Sequence, residues 1–178
     1  MKALILYWSG TGNTEKVADA IRKGMEKEGV KPTVRRVQEA AEEELYDYDL
    51  VCFGSPSHMW LPAEPVLKFV KEKVRDYSGR GLIKPCAPKI PGKYGVVFCT
   101  YSGPHTGIDE AVPAGKVMRQ FLEHLGFDVR AEWYVIGEFH GSELYSTKGR
   151  LGDIRGRPNK KDLAKIEHDT AELIKHLK

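Results

Sequence analysis

The chain has 178 residues, with 28 Lys and Arg against 25 Asp and Glu and a formal net charge of +3. With 41% apolar and 30% charged residues, the composition excludes a disordered chain and suits one globular domain over 1–178. No apolar run approaches the ~20 residues of a membrane helix, residues 1–9 lack the apolar core and cleavage site of a signal peptide, and a charge of +3 is too small to argue for nucleic acid.

The elements follow in chain order. Residues 3–8 (Ala-Leu-Ile-Leu-Tyr-Trp) form an apolar run of strand length. Val17, Ala18, Ile21 and Met25 then recur at helical spacing over 14–28. Residues 33–37 read as a short strand and 49–54 as a buried one. Val66, Phe69, Val70 and Val74 mark a second helix, and 94–100 a fourth strand. Val117, Met118, Phe121, Leu122 and Leu125 mark a third helix stopped by Gly126; 129–136 is a fifth strand. Leu163, Ile166, Thr170, Leu173, Ile174 and Leu177 mark a last helix after Pro158-Asn159. Two stretches, 77–93 and 137–158, are irregular. Strands alternating with helices predict βαβ units, a parallel sheet and a doubly wound α/β sandwich. Nearly continuous apolar strands fit a sheet covered on both faces.

The three cysteines have no CxxC spacing; Cys52 and Cys99 sit in apolar runs, and Cys86 lies in a Pro-rich stretch. That usage argues against a disulfide framework or a structural zinc site and predicts a reducing, cytoplasmic setting. The remaining histidines, His124, His140, His168 and His176, have no metal spacing, so no metal ligands are predicted.

Ser9-Gly10-Thr11-Gly12-Asn13-Thr14 joins the first strand to the first helix. In an open parallel sheet, ligands bind at the carboxyl ends of strands, and a helix start there offers free N–H groups to an anion. A P-loop requires Gly-Lys-Ser/Thr, which is absent. A dinucleotide fingerprint requires a small residue where Glu15 stands. A hydroxyl-rich loop with only Lys16 nearby suits a terminal monophosphate. The competing reading is an ordinary turn in which Asn13 or Thr14 caps the helix.

Ser9 to Thr14, followed by Glu15, resembles the phosphate loop of the flavodoxin-like family. The resemblance covers the strand–helix order of nearly the whole chain. It implies a three-layer sandwich, a five-stranded parallel sheet of order 2-1-3-4-5 with helices on both faces, and flavin mononucleotide (FMN) as cofactor. Two further loops carry it. The third strand runs into Ser55, Pro56, Ser57, His58, Met59 and Trp60; the fourth into Thr100, Tyr101, Ser102, Gly103, His105 and Gly107. The resemblance implies that these loops hold the isoalloxazine ring, and Trp60 and Tyr101 supply aromatic faces for it. His58 and His105 read as ordinary loop histidines or, in a reducing enzyme, as edge contacts or proton donors. No side chain is expected to act as a nucleophile, so no catalytic residue is assigned.

Two functions follow: a one-electron carrier, or an enzyme moving two electrons from NADH or NADPH to a small-molecule acceptor such as a quinone or flavin, or to a redox protein. Family carriers are usually acidic and often place a glycine in the second loop, where a peptide flip stabilises the one-electron state. This chain is slightly basic, and Ser55 to Pro62 contains no glycine. Gly103-Pro104-His105-Thr106-Gly107 is similar to the third loop of flavin-dependent quinone reductases. Both features favour the enzyme; the carrier, and a phosphate-ligand binding module without catalysis, are the alternatives. Related reductases often associate, which leaves a homo-oligomer open. Residues 148–161 hold six cations and one anion, a local +5 on a chain otherwise at −2 (3 − 5). The segment reads as a phosphate or anion contact, or as a solvated charged loop.

Overall fold

The computed structural model describes residues 1–178. Five strands, β1 (Ala3–Tyr7), β2 (Thr33–Arg36), β3 (Leu50–His58), β5 (Tyr94–Tyr101) and β6 (Asp128–Ile136), pair in parallel in the order β2-β1-β3-β5-β6. This is the expected 2-1-3-4-5 arrangement, renumbered by a two-residue strand, β4 (Leu61–Pro62), that pairs antiparallel with the end of β3.

Strand side chains alternate between two cores. Leu4, Leu6, Val51, Phe53, Val97 and Cys99 pack against α2 (Glu64–Gly79) and α3 (Val112–His124). Ala3, Ile5, Tyr7, Leu50, Cys52, Val96 and Phe98 pack against α1 (Asn13–Lys27) and α5 (Lys160–Leu177). With a period of two and a helix layer on each side, every position of a central strand must be apolar. That requirement explains the unbroken runs and the burial of Cys52 and Cys99; Cys86 is exposed. Phe53, Phe69 and Phe121 meet at ring centroid distances of 5.5–6.4 Å beneath the first core. Gly24 lets α1 and α5 approach: a Cβ there would lie 2.4 Å from the Glu167 carbonyl oxygen.

Segment 37–47 is clamped to α2. Buried Lys73 donates to the carbonyls of Ala41 (2.8 Å) and Glu43 (2.6 Å), and the Leu45 amide donates to the buried Tyr77 hydroxyl at 3.0 Å. The carboxyl ends of β1, β3, β5 and β6 all open on one edge of the sheet. Part of the irregular stretch 137–158 forms a short helix, α4 (Glu143–Lys148), beside that edge.

Candidate functional site

The first loop leaves its helix unfinished. Gly12 is the N-cap of α1 with φ of 92°, and no side chain caps the helix. Neither Asn13 nor Thr14 plays the capping role that the ordinary-turn reading requires. The Gly12 amide donates to Ser9 Oγ at 3.1 Å. The amides of Gly10, Thr11, Asn13, Thr14 and Glu15 have no partner within the protein. Thr14 Oγ1 lies 2.8 Å from Thr100 Oγ1 in a buried pair; each hydroxyl has one proton, so one remains to donate outward. Asn13 reaches across instead: its Nδ2 donates to the Glu138 carbonyl at 3.0 Å, tying the loop after β6 to α1, and its buried Oδ1 has no partner.

These groups line a cavity of about 290 Å³ walled by Ser9, Gly10, Thr11, Asn13, Thr14, Pro56, Ser57, His58, Thr100, Tyr101, Ser102 and residues 137–141. An adjoining cavity of about 260 Å³ shares Ser57, Tyr101, Ser102 and Phe139 with it, and adds Met59, Trp60, Gly103, Pro104, His105, Glu110 and Tyr145. The first is polar, with open amides and hydroxyls and no lysine or arginine in its wall. The second is aromatic. The donor set suits a phosphate monoester at one end and a flat ring at the other.

Most of the expected site residues therefore meet around two joined cavities. Gly12, Ser55 and Gly107 do not line either. Gly12 supplies the left-handed turn. Ser55 Oγ is turned into the protein, accepting from the Ala63 amide (2.9 Å) and donating to the Pro56 carbonyl (2.8 Å). Gly107, at φ of 71°, closes the third loop on Gly103, where a Cβ would lie 2.4 Å from the Gly107 oxygen.

The second loop is a hairpin tip rather than an open loop. Ser57 pairs with Pro62 and His58 with Leu61, leaving Met59 and Trp60 as the central turn residues at φ of 48° and 67°. Both angles are positive, as in the primed turns that normally take Asn or Gly. Both side chains project, Met59 at 81% and Trp60 at 57% exposure. A turn that accepts this strain keeps two large apolar groups beside the ring-shaped cavity. Ser57 Oγ donates to the Glu110 carbonyl, and the Glu110 carboxylate accepts from the amides of His105 (2.7 Å) and Thr106 (2.6 Å), bracing the second loop against the third. His58 stands edge-on to Trp8 (5.5 Å, 85°), and desolvation holds its imidazole below the ordinary pKa. Burial raises the Tyr101 phenol, which stays neutral.

Residues 137–141 and Tyr145 form a wall outside the three expected loops. Tyr145 packs edge-on against His105 (5.3 Å) and Phe139 (5.6 Å). Buried Ser146 fixes this wall, its Oγ accepting from the Phe139 amide and donating to the Phe139 carbonyl, each at 3.0 Å. The available signal was topological: this loop follows the carboxyl end of a strand, as the other three do.

Comparison with known proteins agrees with this fold. A family model described as a flavodoxin domain matches residues 4–83. A protein of Archaeoglobus fulgidus named NAD(P)H dehydrogenase (quinone) is 27% identical over 169 residues, covering 79% of this chain and 84% of that one. An Aquifex aeolicus flavodoxin is 29% identical over 176 residues, covering 97% of this chain and 86% of its own. The crystal structure of oxidised flavodoxin 1 from Bacillus cereus superposes with a TM-score of 0.69 at 18% identity over the whole of both chains, a likeness of fold. The sheet is that of a doubly wound α/β protein, with a polar and an aromatic cavity side by side at its carboxyl edge. The chain is similar to flavodoxins and to quinone-reducing NAD(P)H dehydrogenases in sequence, and to flavodoxins in fold.

Proposed function

We propose that the chain is a single flavodoxin-like domain, 1–178, that binds FMN and passes two electrons from NADH or NADPH to a quinone, a flavin or a redox protein. The observation that carries FMN binding is the unfinished start of α1. Unpartnered amides of Gly10, Thr11, Asn13 and Thr14 and the Thr11 and Thr14 hydroxyls belong to the wall of a cavity without lysine or arginine, a donor set that suits a phosphate monoester. Thr100 and Ser102 extend this polar wall toward the aromatic cavity. There Trp60, Met59, Tyr101, Phe139 and Tyr145 would flank the ring. FMN held by these loops would supply the redox chemistry, two-electron transfer from a nicotinamide to a quinone, and the protein's side chains would bind and orient it.

The two-electron reading is supported by the hairpin tip, which has no glycine and is braced on Glu110, and by relatives named NAD(P)H dehydrogenase (quinone). The carrier is the second reading, because a relative covering 97% of the chain is named flavodoxin. Titration of the purified protein with FMN, followed by the visible spectrum, tests the cofactor. Oxidation of NADH and NADPH with a quinone, measured against free FMN, tests the enzyme. Turnover no faster than free FMN contradicts it and leaves the carrier.

A further inference from the structure

Eight of the ten arginines pair with a carboxylate; Arg75 and Arg150 do not. Within the basic segment, Arg155 is held by Asp153 at 2.6 Å and Arg157 by Asp162, while Lys148, Arg150, Lys160 and Lys161 have no ion pair. The exposed Arg150 side chain has neither ion pair nor hydrogen bond. Its backbone, in contrast, is fixed. The Arg150 amide donates to the Pro104 carbonyl at 2.8 Å, and a Cβ on neighbouring Gly149 would lie 2.9 Å from Pro104 Cα. The Arg150 side chain crosses the third loop: a Cβ on Gly107 would be 3.6 Å from its Cδ. An unpaired guanidinium thus lies over the third loop, whose Pro104 and His105 line the aromatic cavity together with Tyr145.

We propose that Arg150 is the anchor for a phosphate of the pyridine-dinucleotide donor, an inference that rests on the hydride reading above. A guanidinium fork matches phosphate geometry, and an arginine without a carboxylate partner gives up no ion pair when it binds one. Leu144, 62% exposed on α4, offers an apolar contact for the adenine outside the ring cavity. An acidic protein partner fits this rim less well. It would also meet the exposed carboxylates of Asp109, two residues after Gly107, and Glu143, two before Tyr145.

The test uses the FMN-loaded protein and its Arg150→Gln, Arg150→Lys and Arg75→Gln variants. Two inert fragments, ADP-ribose and 2′-phospho-ADP-ribose, are titrated by calorimetry. Turnover is measured with NADH, NADPH and a phosphate-free dihydronicotinamide. Arg150→Gln is expected to weaken fragment binding and raise KM for the dinucleotide about ten- to a hundredfold, with kcat, FMN affinity and the phosphate-free rate unchanged. Arg150→Lys keeps part of the affinity, and Arg75→Gln keeps all of it. Loss with both fragments assigns Arg150 to the pyrophosphate; loss with the 2′-phosphorylated fragment alone assigns it to the 2′-phosphate. Fragment binding that is absent in the unsubstituted protein, or equal in Arg150→Gln, overturns the anchor. Dinucleotide turnover persisting in that case leaves the hydride reading standing. Failure of the unsubstituted protein to oxidise any donor above free FMN is failure of that reading itself.

Discussion

Helices α1 and α5 both start at an asparagine-bearing turn, and they start in opposite ways. At α5, Asn159 Oδ1 accepts from the amides of Lys161 (2.9 Å) and Asp162 (3.1 Å), and the Asp162 carboxylate accepts from the Asn159 amide (2.8 Å), a complete capping box. At α1, Gly12 holds the cap position, Asn13 is turned away to the Glu138 carbonyl, and the first-turn amides are left open. The closed end belongs to structure: it offsets Lys160 and Lys161, whose charges oppose the helix dipole. The open end costs local stability and leaves a site for an anion. The residue type is the same; what differs is whether the asparagine serves its own helix or a neighbouring loop.

Substitutions that exchange these roles sharpen the contrast. The largest effect is expected from Thr11→Asp, which places a carboxylate in the open end. FMN affinity falls about 100-fold or more, ~2.7 kcal/mol, with the melting temperature of the FMN-free protein unchanged or raised; fluorescence titration and thermal melts read the two. Thr14→Ala removes one hydroxyl from the same cradle and weakens FMN by ~1.5–3 kcal/mol; an unchanged dissociation constant would place the phosphate elsewhere.

Glu132 resembles the closed end, with every donor spent inside the protein. Burial raises its pKa, but bonds from Lys116, Tyr134 and Arg119 outweigh that and hold it at about 2. A depressed carboxylate contributes its stability fully above the ordinary glutamate value near 4.5 and loses it as pH falls toward about 2. Glu132→Gln should therefore cost ~1–3 kcal/mol in urea unfolding at neutral pH, with the difference shrinking through that window and FMN affinity unaffected. The smallest effect is expected from Asn159→Ala: ~1 kcal/mol of stability, again without change in FMN affinity. An FMN effect at Asn159 would break the comparison.

The sheet order and the first loop were legible because both follow from local pattern. Apolar runs long enough to be strands, and hydroxyl and glycine residues between a strand and a helix, constrain the backbone directly. The hairpin tip was not legible. Met59-Trp60 is no turn dipeptide by propensity, and its positive φ angles are imposed by the pairing of β3 with β4 and the bracing of Ser57 on Glu110. Phe139 and Tyr145 were missed because 137–158 has neither helical nor strand periodicity; a single buried serine, Ser146, organises that wall through contacts the sequence does not reveal. The charge count misled in one respect. Arg155 and Arg157 look like free cations in the sequence and are engaged by Asp153 and Asp162 in the structure.

The central claim is that the open start of α1 holds a phosphate. Parallel titrations with FMN and riboflavin, which differ only in that phosphate, test it most directly. The protein is expected to bind FMN far more tightly than riboflavin, and Thr11→Asp to abolish the difference. Equal affinity for the two flavins, or a preference that survives Thr11→Asp, would contradict it.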